Sequence, residues 1–246
     1  FMLLIGFFTS KKSATSAKEY TLAGRDLPMR YYFPCMCALV LGGSSTLGST
    51  RYGYELGISG VFFLIMLGFG TLILGAIFAK PLNKLNISTV GELLDIRFGK
   101  VPKYMSSIFI FIYLVVLSAV QIIACGSLLN TLFGWDLALS MLIGGAVGII
   151  YSTMGGMLAV SYPDVVQWIF MTIGVFFILL PTSISEVGGL NTLFNSVPAE
   201  YLNLGNAGFA RILSWFILYL LGMFLDQSMW QRMFTAKTLK IAKRGT

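Results

Sequence analysis

Apolar residues in this chain run in blocks about as long as a bilayer is thick, not in the short alternating patterns of a soluble fold. Six such blocks are 31–52, 58–79, 104–132, 137–157, 159–183 and 209–230. A helix needs roughly 20 apolar residues to cross a hydrocarbon core of about 30 Å, so each block is predicted to be a transmembrane helix of an all-α integral membrane protein. A seventh run, Phe1–Thr9, is too short to cross. It opens on Phe1 in mid-run, without the charged flank of a signal peptide, and is expected to be the tail of a truncated helix. The last block passes into Gln231, Arg232 and a basic tail, and the chain is expected to end early there too.

The first block is interrupted at its middle by Leu41-Gly42-Gly43-Ser44-Ser45-Thr46-Leu47-Gly48-Ser49-Thr50. Backbone groups cannot go unpaired in lipid, so a glycine and hydroxyl run at this depth survives only where a ligand, an ion or water completes it. Glycines elsewhere, such as Gly68, Gly75, Gly144 and Gly148, are spread along the blocks as close helix packing requires. Those of the first block are contiguous with hydroxyl residues and mark a candidate binding site.

Composition supports the membrane reading. Hydrophobic residues make up 57% of the chain and charged ones 11%, where soluble domains carry about 25% charge, and the mean hydropathy is +0.83. The segments 10–30, 80–103 and 231–246 carry five Lys or Arg residues each, and only Arg51 and Arg211 lie elsewhere. This asymmetry places the three basic segments in the cytoplasm and the 184–208 loop, which has no Lys or Arg, outside. Topology thus accounts for the net charge of +7, with anionic lipid as a further contact of the basic loops and no nucleic acid as partner. Cys35, Cys37 and Cys125 lack ligand-like spacing and no His is present, so no transition-metal site is expected and the cysteines read as membrane packing.

Ionisable residues within the bilayer default to functional hypotheses because burial there is costly. Arg51 and Glu55 stand four apart and read as a local pair near the interface, with a role in an outer gate as the alternative. Ser161, Pro163 and Asp164 open the fifth block in a Ser-x-x-Asp pattern that suits helix capping. Asp226 sits inside the inner half of the last block, where a carboxylate needs a cation, a proton or a helix end; ligand or gate duty and a structural pair with Arg232 or another helix both remain open. Gln121, deep in the third block, reads as an interhelical hydrogen-bonding group or as part of a binding wall.

The string from Tyr151 through Gly155-Gly156, Ala159-Val160 and Pro163-Asp164 to Gln167 resembles the signature of the sodium:solute symporter family. Ala23-Gly24-Arg25, Gly48 with Gly53-Tyr54 and Gly57, and Asp226-Gln227 with Gln231-Arg232 and Ala236-Lys237 are similar to further stretches of that family, the last to its sugar-transporting branch. Pro163 departs from the usual Thr. The resemblance covers essentially the whole chain and implies a leucine-transporter-type core, two inverted five-helix repeats preceded by one extra helix. On that frame residues 1–246 form a single transmembrane domain, with 1–9 the extra helix in part, 31–183 the first repeat, 209–230 the first helix of the second, and the rest absent.

The resemblance also implies a function, sodium-coupled symport of a small organic solute across the plasma membrane by alternating access, with no enzymatic activity. It places Na⁺ on the Ala38 and Leu41 carbonyls, with its other ligands on a helix of the second repeat. It places the solute against Gly42, Ser44 and Ser45, faced by Gln121, Asp226 and Gln227, and gives Gly155, Gly156, Asp164 and Gln167 structural roles in the signature. Positions 38–57 and Phe78-Ala79-Lys80-Pro81 are similar to the choline-transporting branch, but Val40 and Asp226 stand where its aromatic cage has Trp, so choline is not expected. Proton coupling through Asp226 and a membrane sensor module are the alternatives. A membrane enzyme has no His or paired base to stand on.

Overall fold

A computed structural model describes residues 16–85 and 87–246, with Leu4 and Phe7; the run 1–9 otherwise lies outside the described residues. Among these the architecture is helical, and the single strand-like feature is an isolated parallel bridge between Leu27 and Ala236. The helices, six to thirty-seven residues long, are α1 Ala17–Leu22, α2 Met29–Val40, α3 Gly43–Leu56, α4 Val61–Ile73, α5 Ala79–Leu85, α6 Val90–Phe98, α7 Lys100–Phe133 and α8 Leu137–Ile173. They are followed by α9 Leu180–Glu186, α10 Leu190–Ser196, α11 Phe209–Trp215, α12 Gln227–Met233 and α13 Leu239–Gly245.

The six apolar blocks map onto these helices with informative differences. The first is split into α2 and α3, as the glycine run requires. The second is one helical path, α4 and α5 joined by a π-helical turn at Leu74–Phe78. The third is α7, whose 34 residues make it about 51 Å long at 1.5 Å per residue. The fourth and fifth are continuous in helical path over Leu137–Glu186, some 75 Å if straight and far beyond one crossing. That path breaks at Gly156, at φ 55° and ψ −146°, a conformation that L side chains rarely adopt. Gly156 also lies against α1, where an added Cβ would stand 2.5 Å from the Tyr20 carbonyl oxygen. The sixth is α11, a π-helical stretch Phe216–Leu221 and a 3₁₀ turn Gly222–Phe224, bent by 43° against α12. That second break was not predicted.

The three basic segments meet at one end of the bundle. Arg25 donates to the Ile87 carbonyl at 3.0 Å and stacks over Phe234, Gln231 donates to the Thr21 carbonyl at 2.8 Å, and Lys237 pairs with Asp26 at 2.8 Å. The segment 80–103, read as a loop, holds α6, whose first turn is capped reciprocally: Thr89 accepts from the Glu92 amide and Glu92 from the Ser88 amide. At the opposite end Asn206 donates to the Leu56 carbonyl, joining the 184–208 segment to the end of α3. Two buried clusters follow from this. One, around Tyr32, Leu82, Trp230 and Met233, lies under the basic end. The other joins Leu56, Phe63, Leu67 and Trp215. Val40 and Met223 pack against both. Apolar side chains such as Phe111, Ile149 and Phe170 point outward from α7 and α8, as a chain with lipid for solvent allows.

Candidate functional site: a cavity between two helix breaks

The first break is built from backbone. α2 ends at Leu41 (φ −92°, ψ 43°), and Gly42 is extended (φ −72°, ψ 175°) before α3 starts. The Leu41 amide still reaches the Cys37 carbonyl and the Thr46 amide the Gly42 carbonyl, both at 3.0 Å. The amides that a continuous helix would bring four residues on, from Gly42 to Ala38 and from Ser45 to Leu41, do not make those bonds. No side chain caps α3. The Ser45 hydroxyl spans the gap, 2.6 Å from the Val40 carbonyl and 2.9 Å from that of Gly42.

The second break is built from a carboxylate. Asp226 caps α12, its Oδ1 accepting from the Ser228 amide at 2.7 Å and the Met229 amide at 3.1 Å, which satisfies donors a helix start leaves open. Among the described residues its Oδ2 takes only a long contact, 3.4 Å, from the Tyr113 hydroxyl of α7. Asp226 is thus satisfied by a helix end; the pairing with Arg232 that the sequence left open is not made.

Between the breaks lies a cavity of about 640 Å³. Its polar wall is Ser45, Tyr113, Gln121, Tyr219, Asp226 and Ser228; Val40, Phe63, Leu67 and Phe109 are among its apolar contacts. Among the described residues that line it, Asp226 is the sole Asp, Glu, Lys or Arg. Gln121 also packs against the first break, where a Cβ added at Gly42 would stand 3.2 Å from its Nε2.

The structure therefore brings Ser45, Gln121 and Asp226 to one cavity, with Gly42 packed against Gln121; Ala38 and Leu41, at the end of α2, are not among the residues that line it. The Ser44 side chain lies outside the described residues. Gln227 is a correction: its amide accepts from the Val90 amide at 3.0 Å and donates to the Ser88 carbonyl at 3.2 Å, so it pins α12 to the start of α6 and faces away from the cavity. The break explains this, because residues on either side of a helix start no longer share the phase of one continuous helix. Tyr113 was missed, although it stands two turns before Gln121 on the face of α7 that also presents Leu117 to the cavity.

Asp164 is a second correction. It lies within α8, not at a helix start, and the Ser161 hydroxyl donates back to the Met157 carbonyl at 2.8 Å. Asp164 instead makes a buried ion pair with Arg232 of α12. Arg232 also donates to the Cys35 carbonyl at 3.0 Å and contacts its sulfur at 2.7 Å, and the Cys35 thiol donates to Asp164 at 3.2 Å. Cys35, read as apolar packing, is a member of this polar cluster below the first break. Gly155 and Gly156 are buried at the break of α8 and Gln167 is half-buried farther along it. Arg51 and Glu55 form the local pair expected, at 2.7 Å with the arginine largely exposed.

Residues 20–246 match the family model described as SSF: Sodium:solute symporter family. The bovine (Bos taurus) sodium-coupled monocarboxylate transporter 2 is 28% identical over 79% of this chain and 31% of its own length. The Vibrio parahaemolyticus sodium/glucose cotransporter is 27% identical over 76% of the chain and 34% of its own length. The human (Homo sapiens) high affinity choline transporter 1 is 26% identical over 98% of the chain and 44% of its own length. The chain thus spans less than half the length of each of these relatives. A solved structure of a Na⁺-coupled sialic acid symporter, substrate-bound and outward-open, superimposes with a TM-score of 0.83 at 22% identity, over 99% of this chain and 53% of that one. That likeness establishes the leucine-transporter-type fold for the described helices.

Proposed function

The chain belongs to the sodium:solute symporter family, and from that premise we propose that the protein carries out sodium-coupled symport of a small organic solute across the plasma membrane by alternating access. The observation that carries this reading is the mid-span break at 41–42, where the Ala38 and Leu41 carbonyls are released from helical bonding beside a cavity that crosses from one broken helix to the other. Carbonyl oxygens suit a hard cation, so these two hold part of the Na⁺ site. The solute lies against Gly42, Ser44, Ser45, Gln121 and Asp226, and Gln227 supports the wall from behind.

In this reading 31–183 is the first repeat and 209–230 opens the second, the basic segments are cytoplasmic and 184–208 is external. The cluster around Tyr32, Trp230 and Met233 closes the cavity from the basic end, together with the Asp164–Arg232 pair. Transport requires that layer to part. Na⁺ and solute bind at the same break, so each stabilises the conformation that the other binds, which is the reciprocal coupling symport needs. The test is uptake of a solute panel (monocarboxylates, sugars, amines) by the full-length protein in proteoliposomes with and without an inward Na⁺ gradient. Uptake that rises with the gradient supports the reading; uptake indifferent to it, across the whole panel, refutes it.

A further inference from the structure

The cavity's charge narrows the solute. Resting on the symport reading above, the geometry points to a protonated primary or secondary amine as the group bound at Asp226. A carboxylate faces the cavity with no Lys or Arg among the described lining residues, and a carboxylate in a low-dielectric site is satisfied by a cation or by hydrogen-bond donors. Its two oxygens are not equivalent. Oδ1 is occupied by the Ser228 and Met229 amides at 2.7 and 3.1 Å, while among the described residues Oδ2 receives only the 3.4 Å contact from Tyr113, longer than a good O–H···O bond. Oδ2 is therefore the acceptor left for a ligand N–H.

The surroundings fit an ammonium head on an apolar or hydroxylated body. Tyr113 flanks Oδ2, Phe63 and Tyr219 stack edge to face with centroids 4.7 Å apart, and both line the cavity. These rings add cation–π attraction. Ser45 and Gln121 on the opposite wall offer partners for a hydroxyl or carbonyl of the same solute. A monocarboxylate would meet Asp226 as a like charge. A quaternary ammonium has no N–H to donate to Oδ2.

The experiment uses the full-length protein in proteoliposomes with matched probes: benzylamine against benzyltrimethylammonium, ethanolamine against choline, and propionate and glucose as uncharged or anionic controls. The expected result is Na⁺-driven uptake of the amines at least about tenfold above their trimethyl partners, lost about tenfold in Asp226→Asn. Asparagine caps a helix as well as aspartate, so this variant keeps α12 and removes the charge. If it melts early, the amine-to-trimethyl ratio of the unaltered protein decides alone. Na⁺-driven uptake of propionate, glucose or the trimethyl compounds in preference to the amines overturns the inference and leaves symport standing, as does amine uptake unchanged by Asp226→Asn. Should no probe show Na⁺-driven uptake, the symport reading fails instead. Equilibrium binding of radiolabelled benzylamine then decides: binding lost in Asp226→Asn upholds the amine site, and absence of binding overturns it.

Discussion

Two helices break at the edges of one cavity, and they break by different chemistry. At 41–42 glycine lets the chain unwind, no side chain caps the new start, and carbonyls are left over. At 225–226 an aspartate supplies the cap, so the backbone donors of α12 are satisfied internally and what remains is one carboxylate oxygen. The first break offers a cluster of neutral dipoles suited to a bare cation. The second offers a formal charge suited to a donor that carries its own proton. On the function proposed above, the difference would give the coupling ion to the first break and the solute head group to the second.

The largest effect is expected where the second break is anchored. Arg232→Ala leaves Asp164 buried without its partner and should lower stability by about 3–5 kcal/mol, read by thermal melting in detergent; replacing both members with apolar residues of similar volume should recover most of it. An Arg232→Ala melt equal to that of the unaltered protein would mean that α12 is held without the pair. Next comes Gln227→Ala, which strips the partner from the Val90 amide and should cost about 1–3 kcal/mol with solute affinity unchanged. A loss of affinity without loss of stability would return Gln227 to the cavity. Asp226→Ala removes a cap worth about 1 kcal/mol, whereas Ser45→Ala removes one hydroxyl bridge, about 0.5–1.5 kcal/mol, and leaves every helix donor as it was. The smallest effect belongs to Arg51→Ala, an exposed pair expected to leave both melting and uptake within error.

The sequence made the first break legible because eight of the ten residues from 41 to 50 are glycine, serine or threonine within an apolar block; the unwinding is confined to 41–42, and the chain is helical again from Gly43. The second break was hidden by the apolar run 209–225, which reads as uninterrupted helix until Asp226. Aspartate ahead of Gln227-Ser228 is an N-cap pattern, and of the three ways open to the charge (a cation, a proton or a helix end) the fold uses the helix end. Asp164 shows the opposite failure. Its local Ser-x-x-Asp spacing suggested a cap, while its real partner stands 68 residues away and no local pattern could announce it. The shared end of the three basic segments, by contrast, follows from charge counting alone, and contacts such as Arg25 with Ile87 and Lys237 with Asp26 realise it.

Equilibrium ²²Na⁺ binding to the full-length protein, without solute, tests the division of labour most directly. The unaltered protein should bind Na⁺; Ser45→Ala, which frees the Val40 and Gly42 carbonyls to reorient at the break, should weaken that binding about tenfold, and Asp226→Asn should change it less than about threefold. Binding abolished by Asp226→Asn and untouched by Ser45→Ala would place the ion on the carboxylate and contradict the assignment of the two breaks.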